Sequence, residues 1–155
     1  MNIQIRNAII SDYETVIKIM SQVQDMHVEW RPDIYKYNDN LISREVFEKI
    51  VENDTFFVAE NDNKEIVGVL EIAFRHVESP AHVTRDFIFI DTMAVDEKFR
   101  GLGVGHKMFE FLKVMKIEKN LDGIELQVNA KNSAAYEMYK KYGFTEKSIN
   151  MELLM

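Results

Sequence analysis

Residues suited to holding a phosphorylated ligand lie between Arg100 and His106. Three glycines alternate there with other residues, at Gly101, Gly103 and Gly105, after an apolar stretch and before an amphipathic one. Glycine lets the backbone approach a ligand closely because it has no Cβ. The first amides of a helix have no partner within it and lie at its positive end. The turn is therefore predicted to bind a phosphate or pyrophosphate.

Two common phosphate-binding loops do not match this turn. A dinucleotide fingerprint requires G-x-G-x-x-G, whereas Gly105 comes one residue early. A nucleoside-triphosphate loop requires Gly-Lys-Ser/Thr, but Gly105 is followed by His-Lys-Met. The remaining pattern is Arg-x-x-Gly-x-Gly, at Arg100, Gly103 and Gly105. A tight strand-to-helix turn without a ligand is the alternative interpretation.

A second run, from Asn129 to Phe144, predicts a helix that Asn132 caps and Gly143 ends. It follows a short strand whose apolar residues alternate with polar ones. One face of the helix carries Ala135, Met138, Tyr139 and Tyr142. That tyrosine face can serve core packing or chemistry, and the spacing alone does not decide between them.

Taken in order, the two runs resemble the GNAT superfamily of acetyl-CoA-dependent N-acetyltransferases. The motifs that carry the resemblance are Arg100-x-x-Gly103-x-Gly105 and Asn132-x-x-Ala135-x-x-x-Tyr139-x-x-x-Gly143-Phe144. The resemblance is specific over about residues 87 to 144 and follows the order of elements over most of the chain. It implies acetyl-CoA as cosubstrate and transfer of its acetyl group to an amine.

The resemblance also implies which residues bind the cofactor. The pantetheine arm is expected to pair with the backbone of Met93, Ala94 and Val95 like an added strand. Asn132 would contact this arm through its side-chain amide, and Asn129 would lie at the mouth of the splayed strands. The pyrophosphate is expected on the backbone amides of Arg100, Gly101, Leu102, Gly103, Val104, Gly105 and His106.

The implied reaction is direct attack of a primary amine on the thioester in a ternary complex, which fits a chain without cysteine. A backbone N–H near Met93 can stabilise the oxyanion. Tyr139 takes the family position that often protonates the departing thiolate, and a hydroxyl can supply that proton.

Glu71 and Asp91 are candidates for removing a proton from the amine or for binding the acceptor. A lysine-like amine has a pKa of ~10.4, so its neutral form costs roughly 4.6 kcal/mol at pH 7. Each carboxylate interrupts an apolar strand, which places it either in a cleft or on a solvated surface. Asp91 lies two residues before Met93, so regular alternation predicts that both project from the same face.

The acceptor wall is expected in the segment from His27 to Tyr37. It contains the only tryptophan, Trp30, together with Tyr35 and mixed charges, and binding residues often lie in such connections. A loop held by its own aromatic residues is the alternative. The four histidines lack metal-ligand spacing, so no metal is expected.

Composition limits the class of protein. The 155 residues are expected to form one domain, 1–155, with 46% hydrophobic and 29% charged residues. The net charge of −7 argues against a nucleic-acid partner and suits a cationic small-molecule or peptide amine. No signal peptide and no apolar run of the ~20 residues that span a bilayer is evident. A cytoplasmic protein without a membrane partner is expected.

The pattern of apolar residues predicts an α/β fold with a mixed sheet and helices on both faces, and the GNAT resemblance implies that this sheet is mostly antiparallel. The predicted strands are 2–7, 55–60, 65–74, 87–95, 124–128 and 144–154. The predicted helices begin at a Ser11–Glu14 capping box, near Ser43, at Gly103 and at Asn132, with connections at 27–40 and 77–84. The GNAT resemblance implies the same arrangement.

Two other functions are compatible with the same residues. One is a non-catalytic module that binds or senses acyl-CoA on this fold. The other is a protein-interaction subunit that dimerises through its carboxyl-terminal strand. A homodimer is compatible with either function and with the enzyme.

Overall fold

The computed structural model describes residues 1–155 and contains five strands and four α-helices. The strands are β1 (Gln4–Asn7), β2 (Phe56–Glu60), β3 (Ile66–Ser79), β4 (His82–Val95) and β5 (Gly123–Leu126). The helices are α1 (Tyr13–Trp30), α2 (Arg44–Ile50), α3 (Val104–Glu118) and α4 (Ser133–Tyr142). None of these helices combines the length and apolar character needed to cross a bilayer.

The strands form one sheet in the order β1-β2-β3-β4-β5. The first four are antiparallel to their neighbours, and only β4 and β5 are parallel. One face packs on α3 through Met108 and Leu112, and the other packs on α1 and α2 through Ile19 and Phe47. The predicted mixed, mostly antiparallel sheet with helices on both faces is confirmed.

The close approach of α3 to the sheet depends on Gly68. A Cβ built at Gly68 would lie 2.3 Å from Cε of Met108 and 3.1 Å from the carbonyl oxygen of Ala94. Met108 is fully buried, so its side chain fills the space that a larger residue at 68 would occupy. The glycine thus lets the start of α3 lie directly over β3 and β4, next to the predicted phosphate-binding turn.

A β-bulge at Asp91 interrupts the pairing of β3 with β4. Glu71 pairs with Thr92 while Ile72 pairs with Ile90, which leaves Asp91 as an additional residue in β4. Side-chain alternation therefore changes phase: Ile88 and Ile90 belong to the cluster under α3, and so do Met93 and Val95. The expectation that Asp91 and Met93 project from one face by simple alternation is wrong, because the bulge lies between them.

The first helix differs from the prediction at both ends. The Ser11–Glu14 capping box is wrong, because a 3-10 turn, Ile10–Asp12, precedes α1. The buried carboxylate of Asp12 instead accepts hydrogen bonds from the backbone N–H of Ile9 and from the guanidinium of Arg6. The carboxyl-terminal end of α1 extends to Trp30, so the residues from His27 to Trp30 are helical rather than part of a connection.

The connection between β3 and β4 is shorter than predicted, and the one between α1 and α2 is displaced along the chain to residues 31–43. The β3–β4 hairpin continues to Ser79 and resumes at His82, so most of the predicted 77–84 loop is strand. Ser43 caps α2 by accepting a hydrogen bond from the N–H of Val46.

The carboxyl-terminal segment, residues 145–155, is the largest departure from the prediction. No part of it is a strand, so the predicted strand 144–154 is wrong, and β5 ends at Leu126 rather than at residue 128. Ile149, Met151 and Leu153 are 80%, 91% and 82% exposed. These apolar side chains have no partner within the chain.

Candidate functional site

A strand edge opens where β4 and β5 separate. β5 pairs with β4 only from Phe87 to Ile90, whereas β4 continues to Val95. On its other side β4 pairs with β3 throughout this stretch, up to the pair Gly68–Val95. The edge of β4 from Asp91 to Val95 that faces away from β3 therefore has no strand beside it.

Backbone hydrogen bonds show which residues direct their polar groups to this open edge. The N–H of Asp96 donates to the carbonyl oxygen of Val67 at 2.9 Å, toward β3. Since successive residues of an antiparallel strand direct their N–H and C=O groups to opposite sides, Met93 and Val95 direct theirs to the open edge. The carbonyl oxygen of Val95 accepts from Nε of Arg100 at 3.1 Å. The N–H of Met93 remains available, which suits its predicted role.

The glycine turn leaves its amides unpaired. Gly101 and Gly103 have φ angles of 77° and 86°, which only glycine adopts at little cost. Gly103 is the N-cap of α3, and no side chain caps this helix. No amide from Arg100 to His106 donates to a loop, cap or side-chain acceptor of the protein. These N–H groups therefore remain able to bind an anion.

The two sequence motifs meet in space at the start of α3. A Cβ built on Gly105 would lie 3.5 Å from Sδ of Met138 in α4, and the rings of His106 and Tyr142 are 5.4 Å apart. The side chain of Arg100, which reaches Val95, connects the same turn to the open edge of β4. The open edge, the turn and α4 are thus adjacent.

The two predicted asparagines hold the loop before α4. Oδ1 of Asn132 accepts from the N–H of Ala135 at 3.2 Å, so Asn132 caps the helix as predicted. Oδ1 of Asn129 accepts from the N–H of Lys131 at 2.9 Å. Both oxygens are engaged in the loop, which leaves the amide nitrogens of these side chains as the groups that can contact a ligand.

Tyr139 is half-buried among aromatic rings. Its ring packs edge-on against Phe109 with centroids 5.8 Å apart, and a contact of the same kind joins it to Phe144. Burial raises the pKa of its hydroxyl above 10.0. No protein group forms a hydrogen bond with this hydroxyl, whereas that of Tyr142 donates to Glu110 at 2.5 Å. Tyr139 therefore keeps its proton at neutral pH and has it available.

Glu71 and Asp91 form a carboxylate pair at the bulge. The pKa of Glu71 is raised above 4.5 because its side chain is partly buried, and the negative charge of Asp91 adds to this effect. A hydrogen bond from Thr92 acts in the opposite direction. Glu71 lies on the side of β3 opposite Leu70 and Ile72, which pack under α3. The pair is thus on the face of α1 and α2.

The aromatic residues of the predicted acceptor wall cluster at the end of α1. The rings of His27 and Tyr35 stack at 4.8 Å, and Trp30 lies 5.7 Å from His27. Nζ of Lys131 donates to the carbonyl oxygen of Trp30 at 3.0 Å, which joins this cluster to the loop before α4. Nothing in the sequence indicated Lys131 or Thr92 as part of the site, because both roles arise from tertiary contacts.

Comparison with known proteins identifies the class to which this site belongs. The sequence profile of the acetyltransferase (GNAT) family matches residues 20–144. The chain belongs to this family and is an acyltransferase.

Individual proteins resemble this chain over most of its length. An N-alpha-acetyltransferase of Sulfurisphaera tokodaii is 32% identical over 149 residues, which are 92% of this chain and 80% of that protein. A mutant of the BH1408 protein of Bacillus halodurans is 28% identical with a TM-score of 0.92, covering 98% of this chain and 99% of that one. The aminoglycoside N-acetyltransferase AAC(6')-Iy, solved in complex with CoA, shares the fold at 16% identity with a TM-score of 0.74, covering 99% and 95%.

The raised pKa of Glu71 predicts a pH-dependent contribution to stability. The folded state binds this proton more tightly than the unfolded chain, so the contribution is complete below pH 4.5 and is lost as the pH rises through the raised pKa. The difference in unfolding free energy between Glu71→Gln, which cannot ionise, and wild type should therefore shift in favour of the variant as the pH is raised from 4 to 7. Urea unfolding at both pH values measures this difference. Glu118→Gln, an exposed side chain without an ion pair, is the control. An equal difference for Glu71→Gln at both pH values would contradict the assignment.

Proposed function

We propose that this chain transfers the acetyl group of acetyl-CoA to a primary amine by direct attack in a ternary complex. The observation that carries the proposal is the meeting of an open β4 edge with a turn whose amides are unpaired. A cofactor with an extended amide-containing arm and a diphosphate requires both features. Bound there, acetyl-CoA would supply an activated acyl group.

The chain's own groups fit such a cofactor in order along its length. Amides from Arg100 to His106 would hold the pyrophosphate, and the backbone of Met93 and Val95 would pair with the arm. The nitrogens of the Asn129 and Asn132 side chains would add contacts from the other wall of the opening. Nε of Arg100 is already bound to Val95, so the remaining guanidinium donors are the ones that can reach a phosphate.

Two groups would stabilise charge as the amine attacks. The N–H of Met93 faces the open edge and would donate to the developing oxyanion. The hydroxyl of Tyr139 would supply the proton that the departing thiolate needs. Its raised pKa supports a donor role, since a hydroxyl that ionised near neutral pH would have no proton to give.

Glu71 and Asp91 would take up the proton of the amine and attract its cationic form. A carboxylate with a raised pKa is a better base than an ordinary surface carboxylate. Asp91 and Glu71 together would also bind a positively charged acceptor before it loses its proton. Trp30 and Tyr35 would form the outer wall of this acceptor site, beside the loop that carries Asn129.

The acceptor class remains the primary amines: a polyamine, an aminoglycoside-like antibiotic, an amino-acid derivative or a protein amine. A similar protein of Sulfurisphaera tokodaii is named an N-alpha-acetyltransferase, which favours a peptide or protein amine. A streptothricin acetyltransferase of Escherichia coli is 30% identical over 89 residues, 57% of this chain. This similarity supports a small cationic molecule as a second candidate for the acceptor.

A direct test combines two measurements on the wild-type chain. Acetyl-CoA should raise the melting temperature, because a ligand that binds only the folded state stabilises it. Release of free thiol should then depend on adding an amine from a panel that spans the four acceptor types. Stabilisation without turnover on any amine would instead support a non-catalytic acyl-CoA sensor.

Removing the hydroxyl of Tyr139 should separate chemistry from binding. Tyr139→Phe is expected to lower kcat at least about tenfold. It should leave the affinity for CoA nearly unchanged, because the cofactor contacts lie elsewhere. Tyr142→Phe is the matched control, since that hydroxyl is bound to Glu110, and it should retain its turnover. Normal turnover in Tyr139→Phe would reduce Tyr139 to a packing residue.

The carboxylate pair should shape the pH dependence of kcat/KM. In the wild type the rate should rise as Glu71 ionises through its raised pKa. Glu71→Gln should lose this rise, and Asp91→Asn should shift it to lower pH because one negative charge is removed. Profiles that match the wild type in both variants would mean that water alone removes the proton.

A further inference from the structure

A short connection, residues 96–100, joins the end of β4 to the glycine turn. Its middle is a 3-10 turn, Glu97–Phe99. Asp96, at its start, is only 7% exposed, so this end of the connection is anchored in the interior. Because β4 provides the open edge and the glycine turn provides the unpaired amides, the connection sets the position of one relative to the other.

Each backbone N–H group of the 3-10 turn has an acceptor. The carboxylate of Asp96 accepts from the N–H of Lys98 at 3.1 Å, and its carbonyl oxygen accepts from that of Phe99 at 2.8 Å. The N–H of Glu97 donates instead to Oε1 of Gln22 in α1, at 3.0 Å. Two acceptors are thus supplied by the residue that begins the turn, whereas the third lies 75 residues away in the sequence.

The side-chain amide of Gln22 is oriented by two groups of the connection. Its oxygen faces the N–H of Glu97, and its nitrogen lies 3.5 Å from Oδ1 of Asp96, so donor and acceptor each face a group of the opposite kind. Without Gln22, the N–H of Glu97 would have no protein acceptor. The connection would then be fastened only to β3 and β4, through the N–H of Asp96 and through Nε of Arg100.

Helix α1 can fix this connection because the helix is itself fixed to the sheet. It is 18 residues long and packs through Val16 and Ile19, which are fully buried. At its far end, the carbonyl oxygen of Trp30 accepts from Nζ of Lys131 in the loop before α4. The helix therefore contacts both of the segments that hold the cofactor in the proposed function, the glycine turn through its connection and the loop of the two asparagines.

We propose that Gln22 is a positioning residue for the cofactor. By holding the backbone of Glu97, its side chain fixes the direction in which the chain leaves β4, and hence the place where the amides from Arg100 to His106 converge. Several amides bind one anion only if all of them lie within hydrogen-bonding distance of it, so a small rotation of the connection weakens them together. The inference rests on the proposed function, because the pyrophosphate of acetyl-CoA is the anion that this turn would hold.

Calorimetry with CoA tests this role. Gln22→Leu keeps the size of the side chain but neither donates nor accepts, so it should raise the dissociation constant for CoA about fivefold, the effect of losing one hydrogen bond. With saturating acetyl-CoA, kcat should stay near the wild-type value, because the groups that act on the thioester are unchanged.

Gln24→Leu is the matched control for the calorimetry. Nε2 of Gln24 donates to the carbonyl oxygen of Lys36 at 2.9 Å. The control therefore removes a hydrogen bond of the same kind from the same helix, but not one to the connection before the glycine turn. Its affinity for CoA should equal that of wild type.

Amide hydrogen exchange without CoA shows whether the hydrogen bond itself is lost. The N–H of Glu97 should exchange faster in Gln22→Leu than in wild type. The N–H of Asp96, which donates to Val67 of β3, should exchange at the same rate in both.

Two results would overturn the role of Gln22 alone. One is a Glu97 amide that exchanges at the wild-type rate in Gln22→Leu, which would mean that the hydrogen bond does not form. The other is a variant with faster exchange at Glu97 that binds CoA as tightly as wild type, which would mean that the bond does not position the turn. A wild-type chain that binds no CoA would overturn the proposed function together with this inference.

Discussion

Backbone groups that the fold leaves unpaired determine what this chain can bind. β4 is longer than its parallel partner β5, so the N–H of Met93 and the polar groups of Val95 face an opening instead of a strand. Unpaired backbone groups in a partly buried place are costly unless a ligand or water satisfies them. The glycine turn adds unpaired amides at the end of the same strand. Both features arise from backbone geometry: the first depends on the arrangement of the strands, and the second on the positive φ angles of Gly101 and Gly103.

The sheet separates two electrostatic environments. The turn and α4 lie with α3, where amides and Arg100 present positive groups despite the net charge of −7. Glu71 and Asp91 project to the side of α1 and α2, where burial and mutual repulsion raise the pKa of Glu71. In the proposed function, an anionic cofactor and a cationic acceptor would approach from different directions and meet at β4. Asp91 adds a second carboxylate on the side of α1 and α2, and the bulge returns Met93 and Val95 to the side of α3.

Local patterns predicted the elements that depend on local chemistry. The Asn132 cap, the glycine turn and the amphipathic character of α3 follow from spacing and residue type, and the structure confirms them. The bulge at Asp91 could not be predicted, because it is set by the register of β4 against β3. The capping box at Ser11 is wrong because the turn before α1 is held by Asp12, whose carboxylate accepts hydrogen bonds from Arg6 of β1.

The carboxyl-terminal segment shows a different limit. The strand predicted over residues 144–154 is wrong, because a strand requires a neighbour and none lies beside these residues. The contact of Lys131 with the predicted acceptor wall could not be read from the sequence either, because Trp30, Tyr35 and Lys131 come together only through tertiary contacts.

Amide hydrogen exchange with and without CoA tests the central claim most directly. If the open edge and the turn hold the cofactor, exchange should slow at Met93 and Val95 and across the amides from Gly101 to His106, while the tip of the β3–β4 hairpin stays unchanged. Exchange at those amides that is the same with saturating CoA as without it would contradict the account.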